Sequence, residues 1–598
     1  MNTQRLSATA VLPVAFLALL FAGLLLSCDP HSSSVKLRSG AVALGASSVV
    51  DLGYEDFAGA DILQLTVSGV QGKRLVVAKL NPGSSLIAGS KTGSFSSLSP
   101  APLGVARSRA LGQEAVMTGA HARPVRLERR FPVLPPVPLS RSLLSEGAGP
   151  TISYGTAGRS VGDTDQFWVQ ASENGPYVQI DATLAVARDH CYIWEFTGLT
   201  DPLATTPASP TPITFDPEKV TILADAFEEV VFPAISSVFG YEYGGGPGGD
   251  GGKDGDQHIS ILLYDIDFDF IEDQSHGIFG FFAPNDEYDS ASSNRREIFY
   301  LDSGFFRKYP FSIVSTLAHE YQHMINWARY QGTTEPQPTT FINELRSLEA
   351  EDLIVAPLST KYPFDQQNGT GYDPVEDGPL FRVQRFNKID VRYNAVRQQY
   401  EYYTNPDIGY DFGAMNAWWD SLDDYSFAFV FGAYLSRSYG GAPFLKKWME
   451  EGADQAALSR AIGSSVASAA AHPGSLTAVS TGSAYADLLE PFVRSLYGLG
   501  VNGSPSPLSR ADAVAAIPTD PPVYLSPFGF GNSVIDLPPI AYGPADAVDL
   551  LPLSFTLHMD AAWEPLEDDS ATISIERPSS ATVRFALIFS DPDYAPAP

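Results

Sequence analysis

The sequence predicts an α+β protein in which a mixed central domain, ending in a mostly α subdomain, is flanked by N-terminal and C-terminal β modules. Three observations carry this. Apolar and polar residues alternate with period two near both ends of the chain, apolar stripes at helical spacing recur between about 310 and 500, and a short His-Glu-x-x-His signature lies on the first of those helices. The chain has 598 residues, 44% hydrophobic and 12% aromatic, enough for a large core and two or three domains. With 38 basic against 69 acidic residues, the formal charge of −31 argues against a nucleic-acid partner and mainly favours solubility.

Taken in chain order, Arg5 precedes an apolar run from Ala8 to Leu26 that stops at Ser27-Cys28. Residues 1–28 therefore resemble a bacterial lipoprotein signal, with Cys28 as the lipid attachment point; an uncleaved membrane helix is the alternative. This reading expects an exported, membrane-anchored protein of the cell envelope, facing the periplasm or the exterior. Residues 29–90 read as a Ser-rich tether followed by strands over Ala60 to Leu80, closing at the turn Asn81-Pro82-Gly83. A Pro-, Ser- and Arg-rich linker spans 91–148; it should not pack alone, and Arg129-Arg130 is a candidate processing point. Strands resume between Gln166 and Trp194, so 149–205 is expected to complete one N-terminal β module. Within it Cys191 reads as a buried thiol.

The central domain covers 206–510. Ala224 to Phe239 reads as a helix and Ile259 to Ile266 as a buried strand. Between them the glycine-rich stretch 244–256 carries Asp250, Asp254 and Asp256, which could bind calcium, but it lacks the Glu that closes an EF-hand loop and reads more simply as a surface loop. The run Asp265, Asp267, Asp269, Asp273 is equally ambiguous. Pro310 suits a first helical turn, and Val314, Leu317, Tyr321, Met324, Ile325 and Ala328 form a stripe that predicts a buried helix to about Gly332. Further helices are expected over Tyr425 to Tyr439, Pro443 to Ile462 and Ala484 to Tyr497. The tail, 511–598, suggests a separate small β domain with strands at Ser554–His558 and Thr582–Phe589.

The chemistry lies in His319-Glu320-Tyr321-Gln322-His323. At i and i+4 both imidazoles leave one helix face and can reach one cation, while Glu320, about 100° round the helix, is left to work on a water. That is a zinc hydrolase arrangement. The longer metzincin pattern fails, because Asn326 and Arg329 stand where Gly and His are required. Zinc then needs a third ligand, and Glu344, 21 residues after His323, is the leading candidate, since Leu345 and Leu348 dock its helix. Glu349 and Glu351 are rivals, each otherwise read as part of a solvated acidic face. An oxyanion donor is also expected, as removing one costs about 2.7 to 4 kcal/mol. Tyr425 and Tyr434 are candidates, and their spacing allows at most one to face the metal.

At these residues the chain resembles the hyicolysin-type zinc metallopeptidases, in particular lipoprotein members found in spirochaetes. The resemblance rests on Ala318 to Asn326, on Asn343-Glu344 with Ser347 and Ala350-Glu351-Asp352-Leu353, and on blocks at Val161–Thr164, Phe167–Val169, Ile261–Ile266, Ser293-Asn294, Glu297–Tyr300, Tyr434-Leu435 and Tyr439–Gly441. It covers about 155 to 450, with Leu345 where a glycine often follows the Asn-Glu pair. It implies a zincin-like, gluzincin-type catalytic domain with His319, His323 and Glu344 on zinc and Glu320 as general base. The resulting expectation is a monomeric, lipid-anchored zinc endopeptidase acting on protein or peptide substrates. Two other classes stay open: a binding lipoprotein on a catalytically retired scaffold, which would be expected to lack Glu320, and a zinc hydrolase acting on another bond.

Overall fold

The computed structural model describes residues 35–44, 48–97, 125–127, 158–172, 175–196, 198, 215–270, 276–331, 333–365, 368–374, 376–379, 382–383, 386, 391–394, 399–402, 418, 422–509, 541–542, 547, 549–558 and 565–590. Cys28 with its apolar run, Arg129-Arg130 and Asp273 lie outside them. No helix among the described residues is long and apolar enough to cross a membrane.

The α+β class holds. Strands at the two ends of the chain form one sandwich rather than two modules. Its first sheet has the order Leu37–Ala43, Ile62–Ser68, Ser570–Glu576, Phe95–Ser97. The second runs Ala541–Tyr542, Ser554–His558, Arg74–Asn81, Arg584–Ser590, Val49–Leu52. Strands from the C-terminal tail thus sit inside both sheets, with Ser570 opposite Ser68 and Arg584 opposite Leu80. Period-two patterning shows that a strand has one buried face but not which strand lies beside it. Leu63, Leu65, Val67, Ile573 and Ile575 meet Val77, Phe585, Leu587 and Phe589 in the space between the sheets. The expected linker is shorter at its start, because Phe95–Ser97 pairs with Ser570–Glu576, and Val125–Leu127 pairs in parallel with His276–Ile278.

The strands Thr164–Gln170, Tyr177–Ala187 and Cys191–Glu195, expected in the N-terminal module, belong instead to the central domain. They extend a six-stranded sheet of order Gly280–Phe282, Ile298–Asp302, Ile259–Tyr264, Cys191–Glu195, Tyr177–Ala187, Thr164–Gln170. Ile259–Tyr264 is buried along its length and lies parallel to both neighbours, which is why it reads as a continuous apolar run. One face of this sheet supports the helices, through Ile193, Ile261, Leu263, Phe299 and Leu301; the other packs Trp194, Leu262, Tyr264 and Tyr300.

The helix over 217–239 passes through a π segment at Phe227–Val231, where Pro233 two residues on cannot donate to the ladder. Pro310–Tyr330 and Thr340–Lys361 then pair against the sheet, followed by Leu422–Tyr439, Ala442–Glu451, Gln455–Ala467 and Ala484–Ser495. The sandwich docks on this helical part through the outer face of its second sheet, with Phe555 edge-on to Phe492 at 6.2 Å. Truncation before residue 550 removes strands interior to both sheets. Limited proteolysis should therefore cut residues 37–97 rapidly in the truncated chain and slowly in the intact one; equal protection would mean that the N-terminal strands stand alone.

Candidate metal centre

The helix Pro310–Tyr330 carries the signature with Pro in its first turn, and its apolar stripe is buried from Val314 to Ile325, with Ala328 half-buried. It crosses the edge strand at Gly280, where a Cβ would sit 3.0 Å from Thr316 Cγ2 and 2.8 Å from the Tyr300 carbonyl oxygen. Only glycine allows that approach. One consequence is that Phe282 N–H, two residues on, donates to Glu320 Oε2 at 2.9 Å and fixes the carboxylate on the strand side of the helix.

The facing helix Thr340–Lys361 is capped by the Thr339 hydroxyl, which accepts from Ile342 N–H. It brings Glu344 to the two histidines. His319 Nε2 lies 3.2 Å from Glu344 Oε2, His323 Nε2 lies 3.4 Å from the same oxygen, and the two Nε2 atoms are 3.0 Å apart. A tetrahedral ion with ligand distances of about 2.0–2.1 Å has ligand–ligand edges of ~3.3 Å, so these three atoms fit three corners of such a site. His319 is fully buried, Glu344 nearly so and His323 partly. Burial would raise the Glu344 carboxyl, but the charge and hydrogen bonds of His323 and His319 outweigh it and hold that group well below the usual carboxylate range. Burial likewise lowers His323, and Glu344 overrides it to raise the imidazole. The cluster favours positive charge at its centre.

Both rings are held from behind. His319 Nδ1 sits 2.9 Å from Glu351 Oε1, which also receives Arg382 Nη2 at 3.0 Å. His323 Nδ1 sits 3.0 Å from Ser347 Oγ, and that hydroxyl donates to Gln322 Oε1 at 2.6 Å. With each Nδ1 carrying the proton towards these oxygens, each Nε2 presents its lone pair to the cluster, the tautomer a metal needs. Glu344, Ser347 and Glu351 stand at i, i+3 and i+7 on one stripe of their helix, so a single face supplies a cluster member and both supports. The helices are further locked by an Asn326–Asn343 hydrogen bond and by Arg346, which donates to Tyr330 Oη and to the Trp448 and Gly452 carbonyls.

The rival carboxylates are therefore not a solvated face: Glu349 and Glu351 are both fully buried. Helix 422–439 covers that side, something a single sequence does not disclose. Glu349 points at this helix, where a Cβ on Gly432 would meet Glu349 Oε1 at 2.7 Å. Burial, with Asp352 beside it, pushes its carboxyl up to about 8. Tyr434 is a core residue, its ring 5.4 Å from that of Phe492, so the structure does not bring it to the cluster. Tyr425 stacks edge-on against Trp418 under the Arg382 guanidinium, one link behind Glu351. Sequence reasoning missed Glu351, Ser347 and Gln322 as supports, although the i, i+3, i+7 spacing was a readable signal. Arg382 and Phe282 N–H had none. Cys191 is buried as expected, and burial pushes its thiol far up.

No protein-family model matches the chain. Among curated proteins it is similar to the "Neutral metalloprotease ShpI" of Staphylococcus hyicus, 34% identical over 115 residues that cover 17% of this chain and 23% of that protein. The chain thus spans about a quarter of the length of that relative. This partial match supports a metallopeptidase relationship, and the His/His/Glu cluster is compatible with a metal ion.

Zinc retention separates the three glutamates. Glu344→Ala should abolish stoichiometric zinc, Glu351→Gln should weaken affinity by about 10 to 100-fold through loss of the His319 support, and Glu349→Gln should leave it unchanged. Competition against a chromogenic chelator reads all three. Full affinity in Glu344→Ala would remove it from the site.

Proposed function

We propose that this chain is a zinc-dependent endopeptidase with a zincin-like catalytic domain, in which His319, His323 and Glu344 hold the metal and Glu320 is the general base. The observation that carries this is the convergence of His319 Nε2, His323 Nε2 and Glu344 Oε2, 3.0 to 3.4 Å apart between two facing helices, with Glu320, the residue after His319, anchored by a strand N–H. Zinc at that point supplies Lewis acidity that polarises the scissile carbonyl and makes water a nucleophile near neutral pH. Glu320 takes the proton of the attacking water and returns it to the departing amine nitrogen. Phe282 N–H keeps one oxygen of Glu320 on the strand, so the carboxylate is oriented before substrate arrives. Glu351 holds His319 against rotation and stabilises positive charge on it. The two tyrosines weighed as oxyanion donors are both buried in the core, and Tyr425, with the Arg382 guanidinium over its ring, is the one we retain as a candidate. Protein or peptide substrates are supported by the similarity to the neutral metalloprotease.

Glu320→Gln tests the assignment. The amide keeps the volume but cannot take the proton, so zinc content should stay at one per chain while kcat on casein-derived peptides falls about 10² to 10⁴-fold with little change in KM. Wild-type turnover in this variant would move the active site elsewhere.

We also propose that the enzyme is a monomer held at the cell envelope by lipid on Cys28, on the evidence of the apolar run that ends there. Cys28→Ala should abolish metabolic palmitate labelling and leave a longer precursor. Unchanged labelling and processing would favour a plain membrane helix.

A further inference from the structure

The glycine-rich stretch 244–256 wraps a second set of carboxylates. Gly252, at φ +63°, lies so close to Glu297 that a Cβ there would meet Glu297 Oε1 at 2.0 Å, and Lys253 N–H donates to the same oxygen at 2.8 Å. Glu287 comes from the turn Pro284–Glu287, just after the edge strand Gly280–Phe282, and its negative charge acts on the carboxyl of Glu297. The two residues are 1% and 3% exposed. Among the described residues, neither oxygen of Glu287 receives a hydrogen bond, and neither does Glu297 Oε2. Three of the four oxygens of these two buried carboxyls thus lack a donor in the interior. Asp254 adds a third negative charge to both. The Lys253 charge offsets Glu287 only in part, its Nζ lying 3.3 Å from Asp289, and Arg296 Nη2 lies 3.0 Å from Asp165. The adjoining Asp286 shows what a satisfied carboxylate looks like here, with Asn294 N–H and Tyr300 O–H each at 2.6 Å.

We propose that Glu287 and Glu297 are direct ligands of a calcium ion, with Asp254 adding charge from the second sphere and loop carbonyls and water completing the coordination. The donors are all oxygen, which selects a hard cation over zinc. Calcium accepts six to eight oxygens in irregular geometry and tolerates bidentate carboxylates, whereas magnesium demands a near-ideal octahedron and keeps its waters. Burial and mutual repulsion push Glu287 up to about 8 and Glu297 well above the usual range, the response of two carboxyls that lack a counter-cation. The aspartates of the loop itself are not the main donors: Asp256 is occupied by the backbone and ring of His258, and Asp254 Oδ1 accepts from Asp256 N–H. An ion there fastens the loop to the turn that ends the strand holding Glu320, so its loss would loosen that strand without touching the zinc ligands.

The test uses the full chain with zinc bound, stripped of calcium over chelating resin. Radiolabelled calcium should bind at one site per chain that is lost in Glu287→Gln/Glu297→Gln, and 1 mM calcium should raise the wild-type melting temperature by about 5 °C but not that of the variant, zinc content being equal in both. Should the double variant fail to fold, terbium luminescence on the wild type and on Glu287→Gln reads the same site, with a calcium-displaceable signal expected only in the wild type. A wild-type melting temperature indifferent to calcium, together with a Glu287→Gln variant at least as stable as the wild type, would mean that the pair shares a proton, and the proposal would fall. Since zinc content is measured throughout, that failure is separate from failure of the peptidase assignment.

Discussion

Two imidazoles and a carboxylate crowded to 3.0–3.4 Å inside a packed helix pair are the constraint on which the rest of the structure depends. Neutral imidazoles beside an ionised carboxyl, away from water, are unfavourable unless positive charge sits among them. The raised His323 and lowered Glu344 express that demand in protons; a divalent ion satisfies it more fully. Holding these atoms so close requires the two helices to keep one register. The Asn326–Asn343 bond and the Arg346 donors, drawn from both helices and from the 442–452 region, tie that register to the helical subdomain.

The same constraint explains why the helix Thr340–Lys361 buries so much charge. Glu344, Arg346, Glu349, Glu351 and Asp352 are all inside the protein, and four of the five have identified ion-pair or hydrogen-bond partners: Glu351 with His319 and Arg382, Asp352 with Arg437, Arg346 with four acceptor oxygens and Glu344 with the histidines. Removing one member of such a set leaves its partner buried and uncompensated, which costs roughly 3 to 5 kcal/mol. Position in the network matters more than charge alone. Glu351 serves the cluster, whereas Glu349, five residues after Glu344, faces the helix 422–439 and serves packing.

How much of this was legible in the sequence follows from what each signal encodes. His319, Glu320 and His323 are fixed by a spacing within one helix, and Glu344 by a neighbouring helix whose apolar side could be read, so their proximity was accessible without coordinates. The limits of the helices 310–330 and 422–439 fell within a few residues because Pro310, Gly440 and Gly441 punctuate them, whereas the helix read from Ala224 begins at Pro217 and the pattern read over Pro443 to Ile462 is two helices broken at Gly452. Strand partnership was not accessible. The alternation in Ile62–Ser68 and in Ser570–Glu576 is the same whether the two pair with each other or lie in separate domains, and a pairing across some 500 residues leaves no local trace. The burial of Glu349 and Glu351 was misread for a related reason: their helix is covered on two sides, and an acidic stripe looks solvated until its cover is known.

The central claim is that one metal ion sits between His319, His323 and Glu344. Zinc K-edge X-ray absorption on the purified protein tests it most directly. The account predicts a first shell of nitrogen and oxygen at about 2.0–2.1 Å, with the outer-shell scattering of two imidazoles and no sulfur. A sulfur shell near 2.3 Å, or a shell without imidazole scattering, would contradict it.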